Sequence, residues 1–97
     1  MSFGGGIDTY TQDSALLVLY VPSLREQFGL RLKAIRLARK MSQEQFAELI
    51  DISVDFLSLI ERGINAPSFE NLDAFSARLG MPVSALFDFD KPPLSVR

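Results

Sequence analysis

Between Ser42 and Gly80 the chain is cut by capping residues at intervals too short for any long element. Ser42-Gln43-Glu44-Gln45 has the form of a capping box, in which the Ser42 hydroxyl accepts an orphan backbone N–H and the Gln45 side chain reaches back. A helix carrying Phe46, Ala47, Leu49 and Ile50 starts there. Asp51-Ile52-Ser53 interrupts it, and Ser53 is an N-cap for the next helix, Val54 to Arg62, which turns Leu57 and Ile60 inward. Gly63 ends that helix as a residue suited to the left-handed C′ position. A connection this tight forces the two helices to cross steeply, and the small Ala47 lets them touch.

The flanking sequence supplies the other elements of a bundle. Leu24 to Lys40 is rich in Leu, Arg, Lys, Ala and Glu and predicts a first helix, with Gly29 its only weak point. On a wheel of 100° per residue, Phe28, Leu32 and Ile35 share one arc, and Leu30, Ala34, Leu37, Ala38 and Met41 share a second. One arc should face the core; the other should meet the N-terminal apolar segment or a second subunit. Arg25, Lys33, Arg36 and Lys40 fall between them in a stripe roughly 80° wide. After Ile64-Asn65-Ala66-Pro67, Ser68 caps a fourth helix with Phe69, Leu72, Phe75, Ala77 and Leu79 as its apolar set, ending at Gly80. Pro82 opens a short fifth helix through Ser84 to Phe87. The expected fold is therefore all-α, a five-helix bundle with an N-terminal apolar extension. Residues 1–23 read as an arm, 24–88 as the folded domain and 89–97 as a tail. Within the arm, Leu17 to Val21 reads as an extended segment or strand, ended by Pro22.

At 97 residues and 10.8 kDa the chain is expected to bury one core. With no Cys and no His it lacks disulfides, thiol or imidazole catalysis and the usual transition-metal ligands, so neither an enzyme nor a cofactor is expected. The carboxylates Glu44, Glu48, Asp51 and Asp55 are explained by capping or solvation, and no nucleophile has a base in a recognisable pattern. The longest apolar run, Ala15 to Val21, is seven residues, against the roughly 20 needed to cross a bilayer, and no basic leader precedes it. No membrane segment and a cytoplasmic location are expected. The formal net charge is -2, but it is unevenly spread. Residues 24–42 hold Arg25, Arg31, Lys33, Arg36, Arg39 and Lys40 against Glu26 alone, a local balance of +5, while the sequence from residue 43 onward balances at -5. One concentrated basic element is a better footprint for a polyanion than the net charge suggests.

From about Phe28 to Phe87 the sequence resembles the phage-repressor and Cro-like helix-turn-helix regulators, the XRE family. The resemblance rests on Arg31-Leu32-Lys33 and Ile35-Arg36, Met41-Ser42-Gln43-Glu44 with Phe46-Ala47, Phe56-Leu57-Ser58 with Ile60-Glu61-Arg62-Gly63, Pro67-Ser68, Leu72, Leu79-Gly80 and Leu86-Phe87, in that order and spacing. It implies a lambda-repressor-like fold and a transcriptional regulator that binds a double-stranded DNA operator as a homodimer. Helix 43–50 and recognition helix 54–62 would dock in the major groove. It also implies residue roles. Ser53, Val54, Asp55, Ser58 and Leu59 occupy base-reading positions; Gln43, Arg62 and Asn65 occupy phosphate-contact positions, with Arg39 a further cation for the backbone; Arg36 and Glu61 match an internal salt bridge.

Two departures from the family pattern bear on function. The reading face offers Val54, Asp55, Ser58 and Leu59 where Arg, Lys, Gln, Asn or Thr is usual, so it lacks the side chains that bind guanine or adenine bidentately. Asp51 stands where the family tends to place Gly in the turn, and Asp is among the better non-Gly residues for a left-handed conformation. The first departure keeps open an alternative: a protein-interaction or antitoxin-like module using Val54, Phe56 and Leu59 to meet a protein partner. A chain of this size has no room for a ligand-sensing domain, so its regulation is expected to come from concentration, dimerisation or a partner. The surface around Leu86, Phe87 and Phe89 is the first expectation for a dimer interface, and Leu16 to Val21 the second.

Overall fold

The computed structural model describes residues 21–90, which form five α-helices in chain order: α1 Leu24–Ala38, α2 Gln43–Ile50, α3 Val54–Glu61, α4 Phe69–Leu79 and α5 Val83–Leu86. No strand occurs among the described residues. The segment read as extended, Leu17 to Val21, lies outside them except for Val21, which belongs to no helix.

Serine begins the four longer helices. Ser42 Oγ accepts the Gln45 N–H at 3.0 Å while Gln45 Oε1 accepts the Ser42 N–H at 2.9 Å, the reciprocal box read in the sequence. Ser68 and Asn71 close a second box, and Ser53 Oγ accepts the Phe56 N–H. Ser23 and Glu26 form a third box, which fixes the start of α1. Its Ser-x-x-Glu signature, Ser23-Leu24-Arg25-Glu26, is local and present in the sequence. The helices stop where backbone freedom allows: Gly63 and Gly80 take φ 76° and 68°. Asp51 takes φ 64° and ψ 47°, so the left-handed turn expected there is made by an aspartate. Lys40, at φ 58°, ends the first helical segment the same way, and α1 and α3 each finish slightly before the expected Lys40 and Arg62.

The core is one cluster. Phe28, Leu32 and Ile35 of α1, Phe46, Ala47 and Ile50 of α2, Leu57 and Ile60 of α3, Leu72, Phe75 and Leu79 of α4 and Leu86 of α5 are all buried. The α1 arc of Phe28, Leu32 and Ile35 is thus the inward one. Leu30 and Leu37, from the other arc, are 61% and 54% exposed, and no described residue covers them. Two residues of the expected α4 apolar set also turn out: Ala77 is exposed, and Phe69 is 84% exposed at the first position of the helix, outside the arc that meets α2. Leu86, expected at a dimer surface, is instead fully buried, because α5 is too short to have two faces and spends its one leucine on the core. Phe87 stacks between Phe28 and Phe89, with ring centroids at 5.1 and 6.0 Å, so Phe89, assigned to the tail, packs back on the bundle.

Gly29 marks a close approach between α1 and α3. A Cβ there would collide with the backbone carbonyl oxygen of Ile60 and lie 2.9 Å from that of Glu61. What read as a weak helix position is a contact that only glycine permits. Gly29→Ala should therefore destabilise the domain by about 1–3 kcal/mol, despite alanine's higher helix propensity, as measured by urea unfolding.

Candidate nucleic-acid interface

The relation between α2 and α3 is set by a buried polar network. Arg36, on α1, grips the Glu61 carboxylate with two hydrogen bonds, Nε to Oε2 at 2.7 Å and Nη2 to Oε1 at 3.0 Å. Its remaining nitrogen, Nη1, donates to the Met41 carbonyl oxygen at 3.0 Å, and Gln43 Nε2 donates to Glu61 Oε1 at 2.9 Å. The Arg36 and Glu61 side chains are only 10% and 3% exposed. One carboxylate at the end of α3 thus holds the last turn of α1, and the first residue of α2 with it. The internal salt bridge expected from the resemblance is present. Gln43's bond to it was not foreseen, because residues eighteen apart in sequence carry no local signal.

On this scaffold α3 presents an arc outward. At 100° per residue Val54, Ser58, Arg62, Asp55 and Leu59 fall in that order within about 140°, while Leu57, Ile60 and Glu61 lie on the buried side. Asp55 and Arg62 are exposed, and Val54, Ser58 and Leu59 are half-buried. Ser53 is exposed at the N-cap with its oxygen already committed to the Phe56 N–H. Val54 also packs on the core, so only part of its side chain faces out. Four of the five expected base-reading residues therefore share one arc with Arg62, and Ser53 lies outside it at the N-cap.

The expected phosphate contacts fare differently. Arg62, the C-cap of α3, has an exposed side chain with no ion-pair partner among the described residues. Asn65 is exposed just beyond, its backbone N–H held by the Leu59 carbonyl oxygen at 3.2 Å. Gln43 is half-buried and already bonded to Glu61. Arg39 is half-buried and donates to the Leu79 carbonyl oxygen at 2.6 Å, clamping the end of α4.

The basic character of α1 is largely spent inside the molecule. Arg31 is buried and donates through Nε to the Ala85 carbonyl oxygen at 2.9 Å, holding α5, and Arg25 reaches the Ile64 carbonyl oxygen at 3.4 Å. Arg25 nevertheless stays exposed, as do Lys33 and Lys40, so three cations of this helix and its C-terminal turn face solvent. Lys40, beside the start of α2, was not among the expected contact residues; its left-handed backbone after α1 holds it outward. The helix pair itself carries exposed acids, Glu44, Glu48, Asp51 and Asp55. Asp51 faces Arg78 at 3.8 Å, an exposed pair worth little. No cluster of residues able to hold a metal ion occurs among the described residues, and no described helix is long and apolar enough to cross a membrane.

Residues 32–86, which include this helix pair, Arg36, α4 and α5, match the helix-turn-helix family profile. The chain belongs to the XRE-type helix-turn-helix family. It is 45% identical over 58 residues to an immunity repressor protein of Bacillus phage phi105, covering 60% of this chain but only 40% of that protein. It is 40% identical over 70 residues to the control protein C.MunI of a Mycoplasma species, covering 70% of this chain and 95% of that one. Among solved structures it is similar to the clp gene regulator ClgR from C. glutamicum, with 30% identity, a TM-score of 0.64, and coverage of 71% of this chain and 90% of that one. The all-α fold and the family expected from the sequence both hold.

The buried network yields a stability prediction. Glu61→Ala strands the Arg36 guanidinium in a nearly dry site and should cost about 3–5 kcal/mol. Gln43→Ala removes one neutral donor from a carboxylate that keeps its arginine, and should cost about 1–2 kcal/mol. Denaturant midpoints of the two variants measure the difference.

Proposed function

We propose that the chain is a transcriptional regulator that binds operator DNA as a homodimer, with α3 in the major groove and α2 against the adjoining backbone. DNA-binding transcriptional regulation follows from the family and the fold. The observation that carries the finer reading is the Glu61 network, which locks α2 and α3 together and leaves the Val54, Asp55, Ser58, Leu59 and Arg62 arc facing outward. A helix about 10–12 Å across fits a major groove about 12 Å wide, so an arc on one side of α3 can reach base edges.

Val54 and Leu59 suit thymine methyl groups, Asp55 suits the amino group of cytosine, and the serines contact either kind of base. Arg62, Asn65 and the N-terminal end of α2 at Gln43 flank this arc as phosphate contacts, with Lys40 added to them. Arg39 acts first as a clamp on α4 and only second as a phosphate contact. The regulator would work in the cytoplasm. Its likeness in extent to a control protein, 95% of which is matched, favours control by the protein's own concentration and dimerisation.

Titration of the duplex upstream of its own reading frame, followed by fluorescence anisotropy at several salt concentrations, tests the reading. Binding should weaken as salt rises, and Arg62→Ala should lower the slope of log K against log salt by about 1. Asp55→Asn should raise affinity for unrelated duplexes, because it removes a carboxylate repelled by phosphate. No binding to that duplex at low salt, or a monomeric mass by sedimentation at micromolar concentration, would overturn the operator-binding dimer.

A further inference from the structure

A second surface lies where α1, the loop before α4 and α5 meet. Leu24, Phe28, Ala66, Pro67, Phe69, Leu72 and Phe87 line an open groove of about 290 Å³, and Arg25 is the charged residue on its wall. Its lips are apolar and wet: Phe69 is 84% exposed and Leu24 60%. Surface phenylalanine at this exposure, beside a concave apolar lining, marks a site that something covers.

The chain itself arrives at this groove. Leu24 is both a wall residue and the first residue of α1, so the segment before it leaves from the rim. That departure is held in place. Ser23 is an extended N-cap at ψ 163°, closed by its box with Glu26, and Gln27 Nε2 donates to the Pro22 carbonyl oxygen at 3.0 Å. Pro22 disfavours helix at Val21, which belongs to no helix. Those residues are the longest apolar run of the sequence, Ala15-Leu16-Leu17-Val18-Leu19-Tyr20, ending at an exposed Val21.

We propose that Ala15–Tyr20 seats in the groove of its own chain, covering Phe69 and Leu24. The reach suffices: six residues span about 9 Å as a helix and about 20 Å when extended, and the tether to the rim is Val21-Pro22-Ser23. A tether that short gives an effective concentration in the millimolar range, well above that of a second copy at micromolar protein. The other terminus is the poorer occupant. Past Pro92 and Pro93 it offers only Leu94 and Val96, between Lys91 and Arg97. The N-terminal segment is thus a hydrophobic strap on the face of α4 and α5, and it leaves the arc of α3 free.

The absence of cysteine makes the test direct. A nitroxide on Leu19→Cys of the full chain should broaden the signals of Leu24, Leu72 and Phe87 severalfold, and the effect should survive dilution with unlabelled chain. Phe69→Asp, at an exposed position, should abolish the broadening while the Leu57 and Ile60 signals stay dispersed. Leu16→Asp with Leu17→Asp, changed in the segment itself, should do the same without touching the core. Broadening only between copies would overturn the proposal in favour of a second subunit's segment. Broadening from a nitroxide on Val96→Cys but not on Leu19→Cys would overturn it in favour of the tail, and no broadening from either would overturn it outright.

Discussion

The Glu61 carboxylate accepts hydrogen bonds from Arg36 twice and from Gln43 once, in a site that excludes most water. Desolvating both charges is expensive, and a well-packed apolar replacement often does as well for stability alone. What the pair supplies is geometry. A bidentate guanidinium–carboxylate contact admits one relative orientation, so α3 cannot roll on α1 without breaking it. Gly29 makes this possible, since the absence of a Cβ lets α1 close on the carbonyls of Ile60 and Glu61. Gln43 then extends the same anchor into α2, and the Met41 carbonyl joins the connecting loop to it. The outward arc of α3 is therefore presented by a frame tied at its C-terminal end.

This use of arginine changes how the charge of the molecule is understood. Of the six cations between residues 24 and 42, Arg31 and Arg36 are buried, and Arg25 and Arg39 are turned to backbone carbonyl oxygens of other elements. The basic helix is largely a set of internal clasps: Arg31 holds α5, Arg39 holds the end of α4, and Arg36 holds α3. The surface proposed to meet DNA keeps Lys40 and Arg62 as exposed cations on a helix pair that also exposes four acids, which favours weak non-specific attraction and would leave discrimination to the residues on α3.

Apolar surface was redistributed in the same way. The sequence pattern placed Phe69 and Leu86 by composition and spacing, but the first is exposed and the second buried. Both outcomes follow from where α4 and α5 sit. α4 leans on α2 through Leu72, Phe75 and Leu79, leaving its first residue outside, while α5 is a single turn pressed against α1 and α4. Leu30 and Leu37, from the other apolar arc of α1, stay exposed.

What the sequence alone determined was local or strongly periodic. Ser42, Ser53 and Ser68 start helices by satisfying backbone N–H groups within three residues; Gly63, Gly80 and Asp51 stop them because their own backbones tolerate positive φ. The order of Arg36, Gln43, Phe46-Ala47 and Glu61 to Gly63 was enough to name the family, since each of these residues sits at a fixed spacing in it. Only the tertiary structure decided which residues of a periodic helix turn inward, which arginines are clasps, and why Gly29 is a glycine. Those outcomes depend on the approach of segments far apart in the chain, as in Gly29 to Glu61 and Arg31 to Ala85, which is 54 residues away, and no local preference encodes such distances.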